Sequence, residues 1–110
     1  MIKRMLALDG VVAVVLFRDD GAFLEGYGLI DESLMREMAS FAHDYKRLVQ
    51  SNADQLSMFT QISAWTPPKG WIVRGEKYTV CSFGNLVSLA TNDESNLNEI
   101  MAELSDLASY

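Results

Sequence analysis

The stretch Val11-Val12-Ala13-Val14-Val15-Leu16-Phe17, followed by Arg18-Asp19-Asp20-Gly21 and then Ala22-Phe23-Leu24-Glu25-Gly26-Tyr27-Gly28, decides the fold. Val11–Phe17 is apolar on both alternating sets, Val11/Ala13/Val15/Phe17 and Val12/Val14/Leu16, which is the pattern of a central strand covered on both faces. Asp-Gly supplies the positive φ that tight turns need, so Arg18–Gly21 predicts a hairpin. In the returning segment Phe23, Glu25 and Tyr27 alternate with Ala22, Leu24 and Gly26. That alternation predicts a partly wet strand near a sheet edge.

On the N-terminal side, Met1–Leu8 reads as a short helix with Ile2, Met5, Leu6 and Leu8 facing inward, ended by Gly10 in the left-handed conformation. On the C-terminal side, Asp31 is placed to cap a helix and Glu32 to complement its dipole. Leu34, Met38, Phe41, Tyr45, Leu48, Asn52, Leu56 and Phe59 follow at spacings of three and four residues, one apolar seam interrupted by Asn52. The seam predicts a long helix through at least Ala53 and up to Ala64, with a break near Ser51-Asn52 as the alternative. Trp65-Thr66-Pro67-Pro68-Lys69-Gly70 ends any helix, because proline lacks a donor and pushes its predecessor toward extended geometry.

Gly70–Arg74, Tyr78–Phe83 and Leu86–Ala90 then predict three strands, with Gly75-Glu76-Lys77 and Gly84-Asn85 as turns. Thr91-Asn92-Asp93-Glu94 has capping-box spacing and predicts a terminal helix from about Asp93, with Leu97, Ile100, Met101, Leu104, Leu107 and Ala108 on one face. The order strand-strand-helix-strands-helix specifies an α+β domain with helices beside an antiparallel sheet. The 110 residues predict one domain over 1–110, without repeats, linkers or low-complexity segments.

Hydrophobic residues make up 49% and charged residues 22%, the composition of a folded chain rather than a disordered one. A formal net charge of −6 disfavours nucleic acid as a partner, because phosphate binding needs clustered Lys and Arg. Cys81 is the only cysteine, so no intramolecular disulfide forms and no metal site draws several thiolates from this chain. The basic, briefly apolar start is interrupted by Asp9-Gly10 too early for a secretory signal, and no run reaches transmembrane length. The expectation is a cytoplasmic protein without membrane insertion.

No constellation of residues names a reaction. Alternation within Tyr78–Phe83 predicts a buried structural Cys81 rather than a redox thiol. His43, Asp44 and Tyr45 are consecutive on a helix and point in different directions, which makes His43 a surface residue. Asp19 and Asp20 are explained by their turn, and Asp93, Glu94, Glu99, Glu103 and Asp106 by a solvated helix face. Lys69-Gly70 lacks the glycines and the Lys-Ser/Thr pair of a phosphate loop, and there is no nucleophile elbow, paired metal-binding histidines or kinase signature. Neither catalysis nor a cofactor is expected. Trp65, Trp71 and Tyr78 form a candidate ligand or partner patch, with ordinary packing around the Pro67-Pro68 turn as the alternative. Met35, Met38 and Met58 favour an adaptable packing surface, since the seam is longer than one domain's own sheet requires.

Leu6–Gly10 leading into Val11–Phe17, the Asp-Asp-Gly turn, and Asn85–Ala90 followed by Asn92–Leu97 together resemble the roadblock family of dynein-light-chain-like domains. The segment Trp65–Trp71 with Tyr78-Thr79-Val80 is similar to a poorly characterised prokaryotic branch of it. The resemblance implies a five-stranded sheet in the order 2-1-5-4-3, the long helix on one face and the terminal helices on the other. It also implies a homodimer through the long helix and the strand near Gly70, with Met38, Phe41, Tyr45, Leu48, Trp71 and Val73 at the interface. Roadblock domains serve as small-GTPase regulators, which implies a noncatalytic scaffold or regulatory subunit. The branch is associated with heterodisulfide-reductase-like sulfur-oxidation systems, which implies a redox enzyme complex as an alternative partner. PAS and profilin-like folds share the strand order, which leaves a small-ligand sensor as the third reading.

Overall fold

β1, Val11–Phe17, occupies the middle of the sheet, and both of its faces are covered, as its double alternation predicts. The computed structural model describes residues 2–51 and 70–108. Among these, β2 (Phe23–Gly28), β3 (Gly70–Arg74), β4 (Tyr78–Phe83) and β5 (Leu86–Thr91) join β1 in one antiparallel sheet of order β2-β1-β5-β4-β3. Helix α1, Glu32–Ser51, lies on one face. A 3-10 helix over Ile2–Ala7 and helix α2, Leu97–Ala108, cover the other. This is the α+β roadblock-like architecture expected, with the short first helix wound as 3-10.

Alternation divides the core cleanly. Val14, Cys81, Leu86 and Ala90 pack with Ile2, Met5, Ile100, Leu104 and Leu107, whereas Val15, Phe17, Trp71 and Val87 pack with Met35, Ala39 and Ala42 of α1. The hairpin closes as predicted. The Arg18 N–H donates to the Ala22 carbonyl at 2.8 Å and the Gly21 N–H to the Arg18 carbonyl at 2.8 Å, with Gly21 at a φ of 90°. Asp20 locks the corner by accepting from the Ala22 N–H at 2.9 Å. Asp31 caps α1 by accepting from the Leu34 N–H at 2.8 Å. The expected course of the long helix through Asn52, Ala53 and Ala64 falls outside the described residues.

Two expectations are corrected. The terminal helix does not open at Asp93 on a Thr91 cap: it begins at Leu97, and Asn96 is the cap, accepting from the Glu99 N–H at 3.2 Å. Thr91 is committed to β5, pairing with Tyr78 and donating its N–H to the Gly10 carbonyl at 2.8 Å, so its backbone cannot turn into a helix. Asn92 is held as well. Its side chain donates to the Gly75 and Glu76 carbonyls at 2.8 and 3.1 Å, accepts from the Thr79 hydroxyl, and ties the β3–β4 turn to the end of β5. Gly10 is required opposite this corner, because a Cβ there would stand 2.7 Å from the Ser95 nitrogen. His43 is the second correction: it is largely covered, its ring lying where a side chain on Gly21 would be, because α1 passes over the hairpin corner.

Asn92→Ala removes these bonds and leaves the buried Thr79 hydroxyl without its acceptor. The expected cost is about 1–3 kcal/mol, read as a lower urea midpoint at unchanged slope. An unchanged midpoint would show that the Asn92 corner is not a structural tie.

Candidate functional site

Helix α1 carries two parallel apolar seams. Met35, Ala39 and Ala42 face the sheet and are buried, with Val49 packed beside them. The seam read from the sequence is the neighbouring one. Leu34 and Phe41 on that stripe are 47% and 45% exposed, and Leu48, at the same spacing, is exposed too. Met38 and Tyr45 lie between the seams, half-buried. Small side chains let α1 sit close to the sheet, so its bulkier residues line the flank rather than the floor.

That flank runs beside the β3 edge. The Tyr45 and Trp71 rings lie 4.6 Å apart between centroids, Phe41 stands edge-on to Trp71 at 5.9 Å, and Phe41 and Tyr45 are 5.7 Å apart. Trp71 is therefore an anchor packed beneath the helix flank, and its buried Nε1–H has no partner among the described residues. Val73 shares its face and packs into the same cluster. Toward the N-terminal end of α1, Ile30, Leu34, Glu37, Met38, Phe41, Val80 and Leu89 line an open, almost wholly apolar groove of about 260 Å³.

Among the described residues, strand β3 has only β4 as a neighbour. The Gly75 N–H donates to the Tyr78 carbonyl at 2.8 Å, which sets the alternation of the ladder. Trp71 and Val73 direct their backbone groups toward β4, while Gly70, Ile72 and Arg74 direct theirs outward. Ile72 also exposes its side chain. Sequence reasoning missed the exposed Ile72 and the groove-lining Val80 and Leu89; the alternation of Trp71 and Val73 against Ile72 was the available signal.

Met38, Phe41, Tyr45, Leu48, Trp71 and Val73 thus fall on or beside one flank. The second candidate patch is not gathered in this way. Tyr78 is exposed at the end of β4 remote from Trp71, which pairs with Ser82, and Trp65 lies outside the described residues. At the hairpin end, Lys46 donates to Asn85 Oδ1 at 2.9 Å, and the Asn85 amide donates to Asp19 at 2.8 Å, a polar clasp between α1 and two turns. Arg4 pairs with Glu103 and Asp106 across the opposite layer. No cluster of three or more metal-ligating side chains occurs among the described residues, and no helix among them is long and apolar enough to cross a membrane.

The architecture defines the chain as a roadblock-fold protein. It is similar to a roadblock/LC7 domain from Streptomyces avermitilis, with a TM-score of 0.79 at 17% identity over 99% of this chain and 88% of that one. It is also similar to the gliding protein MglB of Thermus thermophilus (TM-score 0.74, 14% identity, 97% and 78% covered) and to MglC of Myxococcus xanthus (0.60, 13%, 99% and 90%). Within that fold, the chain belongs to the family described as uncharacterized conserved protein DUF2173, which matches residues 1–106. No curated protein matches it.

Cys81 is fully buried on β4, and burial pushes its thiol up from 9.0 to about 11. An unfolded thiol ionises near 9.0, so the stability of the neutral buried form is intact below that pH and is lost as pH rises toward about 11. Alkylation by iodoacetamide at mildly alkaline pH is expected to proceed only as fast as the protein opens. Rapid modification of the native protein would contradict the burial.

Proposed function

We propose that this protein is a noncatalytic dimeric scaffold or regulatory subunit, in which α1 and β3 of two copies meet across a two-fold axis. The observation that carries the reading is the outer seam of α1, apolar at Leu34 and Phe41 yet exposed, lying alongside a strand edge whose outward backbone groups have no neighbour among the described residues. Exposed apolar stripes of this length are uncommon on monomers. A helix of 20 residues is about 30 Å long, enough to supply much of the roughly 800 Å² per partner that a stable interface buries.

The strand edge is self-complementary. Antiparallel pairing of two β3 strands centred on Ile72 sets Trp71 opposite Val73 of the second copy on the α1 face, an aromatic–β-branched pair. The same register sets the two Ile72 side chains together on the other face. The roadblock resemblance supports regulation of a small GTPase as the role of such a dimer. Its partner surface is then formed by two copies jointly.

Phe41→Glu puts a carboxylate on the seam of each copy at a position exposed in the single chain, so folding should be little affected while association must desolvate two charges. The expected result is loss of the dimer in light scattering with an unchanged far-ultraviolet circular dichroism spectrum. A dimer that persists in folded Phe41→Glu would remove α1 from the interface. Tyr45→Glu is the harsher variant, because Tyr45 is half-buried and packs more closely on Trp71 than Phe41 does, and it is expected to lower stability as well.

A further inference from the structure

Among the described residues the opposite edge of the sheet, β2, is also free of a neighbour. The Leu29 N–H donates to the Val12 carbonyl at 3.0 Å, which sets Glu25 and Tyr27 toward β1 and turns the backbone groups of Gly26 and Gly28 outward. Edge strands are ordinarily blunted by lysine, proline or a covering element, and β2 carries none of the first two. Instead, Leu24 and Leu29 flank the glycines at 53% and 89% exposure. A Cβ on Gly26 would lie 2.7 Å from the Met35 sulfur and 3.0 Å from the Phe23 ring, so glycine suits the close seat of these side chains. The same constraint leaves the middle of the edge open to close approach.

We propose that β2 pairs with β2 of another copy, antiparallel and centred on Gly26, as a second self-association surface distinct from the α1–β3 flank. An outward row of backbone donors and acceptors is complemented by another extended backbone, and this register suits a second copy. It sets Glu25 opposite Tyr27 of that copy on either side of the central Gly26 pair, with the bulge at Leu24 bounding the regular stretch. Tyr27 already donates to Glu25 within one chain at 3.0 Å, and Lys3 lies 5.7 Å above the Tyr27 ring, a cation beside the incoming Glu25. Centring on Glu25 would oppose two carboxylates, and centring on Tyr27 would press Glu25 against Leu29. The positive φ of Gly28 ends the pairing, which keeps the contact short and the association weaker than through α1. Two isologous contacts on opposite sheet edges do not close on themselves, so dimers joined by β2 form an open-ended sheet.

Sedimentation velocity of the full chain from micromolar to millimolar concentration tests this. The expected result is a mass that continues to rise above the dimer, and an upper step weakened by about tenfold or more in Leu24→Lys/Leu29→Lys, with the dimer retained. Combined with Phe41→Glu, the β2 contact alone remains, and association is expected to stop at a weak dimer that the two lysines abolish. A wild-type mass that levels off at the dimer at millimolar concentration overturns the β2 proposal and leaves the α1–β3 reading standing. Growth beyond the dimer that ignores the lysines also overturns it. A weak dimer sensitive to the lysines but indifferent to Phe41→Glu supports β2 and removes the α1–β3 reading instead.

Discussion

The close seat of α1 on the sheet governs the rest of the molecule. Ala39 and Ala42 are fully buried, and only Met35 among the larger residues of that stripe enters the floor at the N-terminal end. Two alanines let the helix approach the strands, and the approach lifts the adjacent stripe, Leu34, Met38, Phe41 and Tyr45, onto the helix flank. The chain then carries more apolar helix surface than its own sheet covers. The exposed apolar flank is thus a consequence of how the core is packed.

The opposite layer has another task. The 3-10 helix and α2 cover Val14, Cys81 and Leu86, and Arg4 ties the two elements through Glu103 and Asp106. These ion pairs are solvent-exposed, so they orient rather than stabilise. The Asn92 corner and the Lys46–Asn85–Asp19 clasp hold the two ends of the sheet. Among the described residues, such ties leave β2 and β3 as the two open edges of the sheet, each with outward backbone groups and exposed apolar neighbours.

Much of this was legible in the sequence where a residue pattern has one physical solution. Double alternation in Val11–Phe17 leaves only a strand covered on both faces, and Asp19-Asp20-Gly21 leaves only a tight turn. Cys81 followed from alternation in β4. The pattern was less decisive where two solutions compete. Period 3.5 describes both seams of α1, and hydropathy favours the bulkier one, although the sheet selected the stripe with alanines because distance of approach mattered more than side-chain size. Thr91–Glu94 has cap spacing, but a β ladder already held Thr91, and ladder pairing is invisible from local sequence. His43 was covered by a hairpin twenty residues away, which no helical wheel shows.

The amide of Ile72 is the most direct probe of the central claim that β3 meets β3 across a two-fold axis. It points away from β4 and has no partner among the described residues, so in a lone chain it is expected to exchange rapidly; paired with a second copy it is hydrogen-bonded. Hydrogen exchange followed by NMR is expected to show Ile72 protected in the wild-type protein at high concentration and unprotected in Phe41→Glu, while Trp71 and Val73 are protected in both. An Ile72 amide that exchanges freely in the associated wild-type protein would contradict the strand pairing on which the account depends.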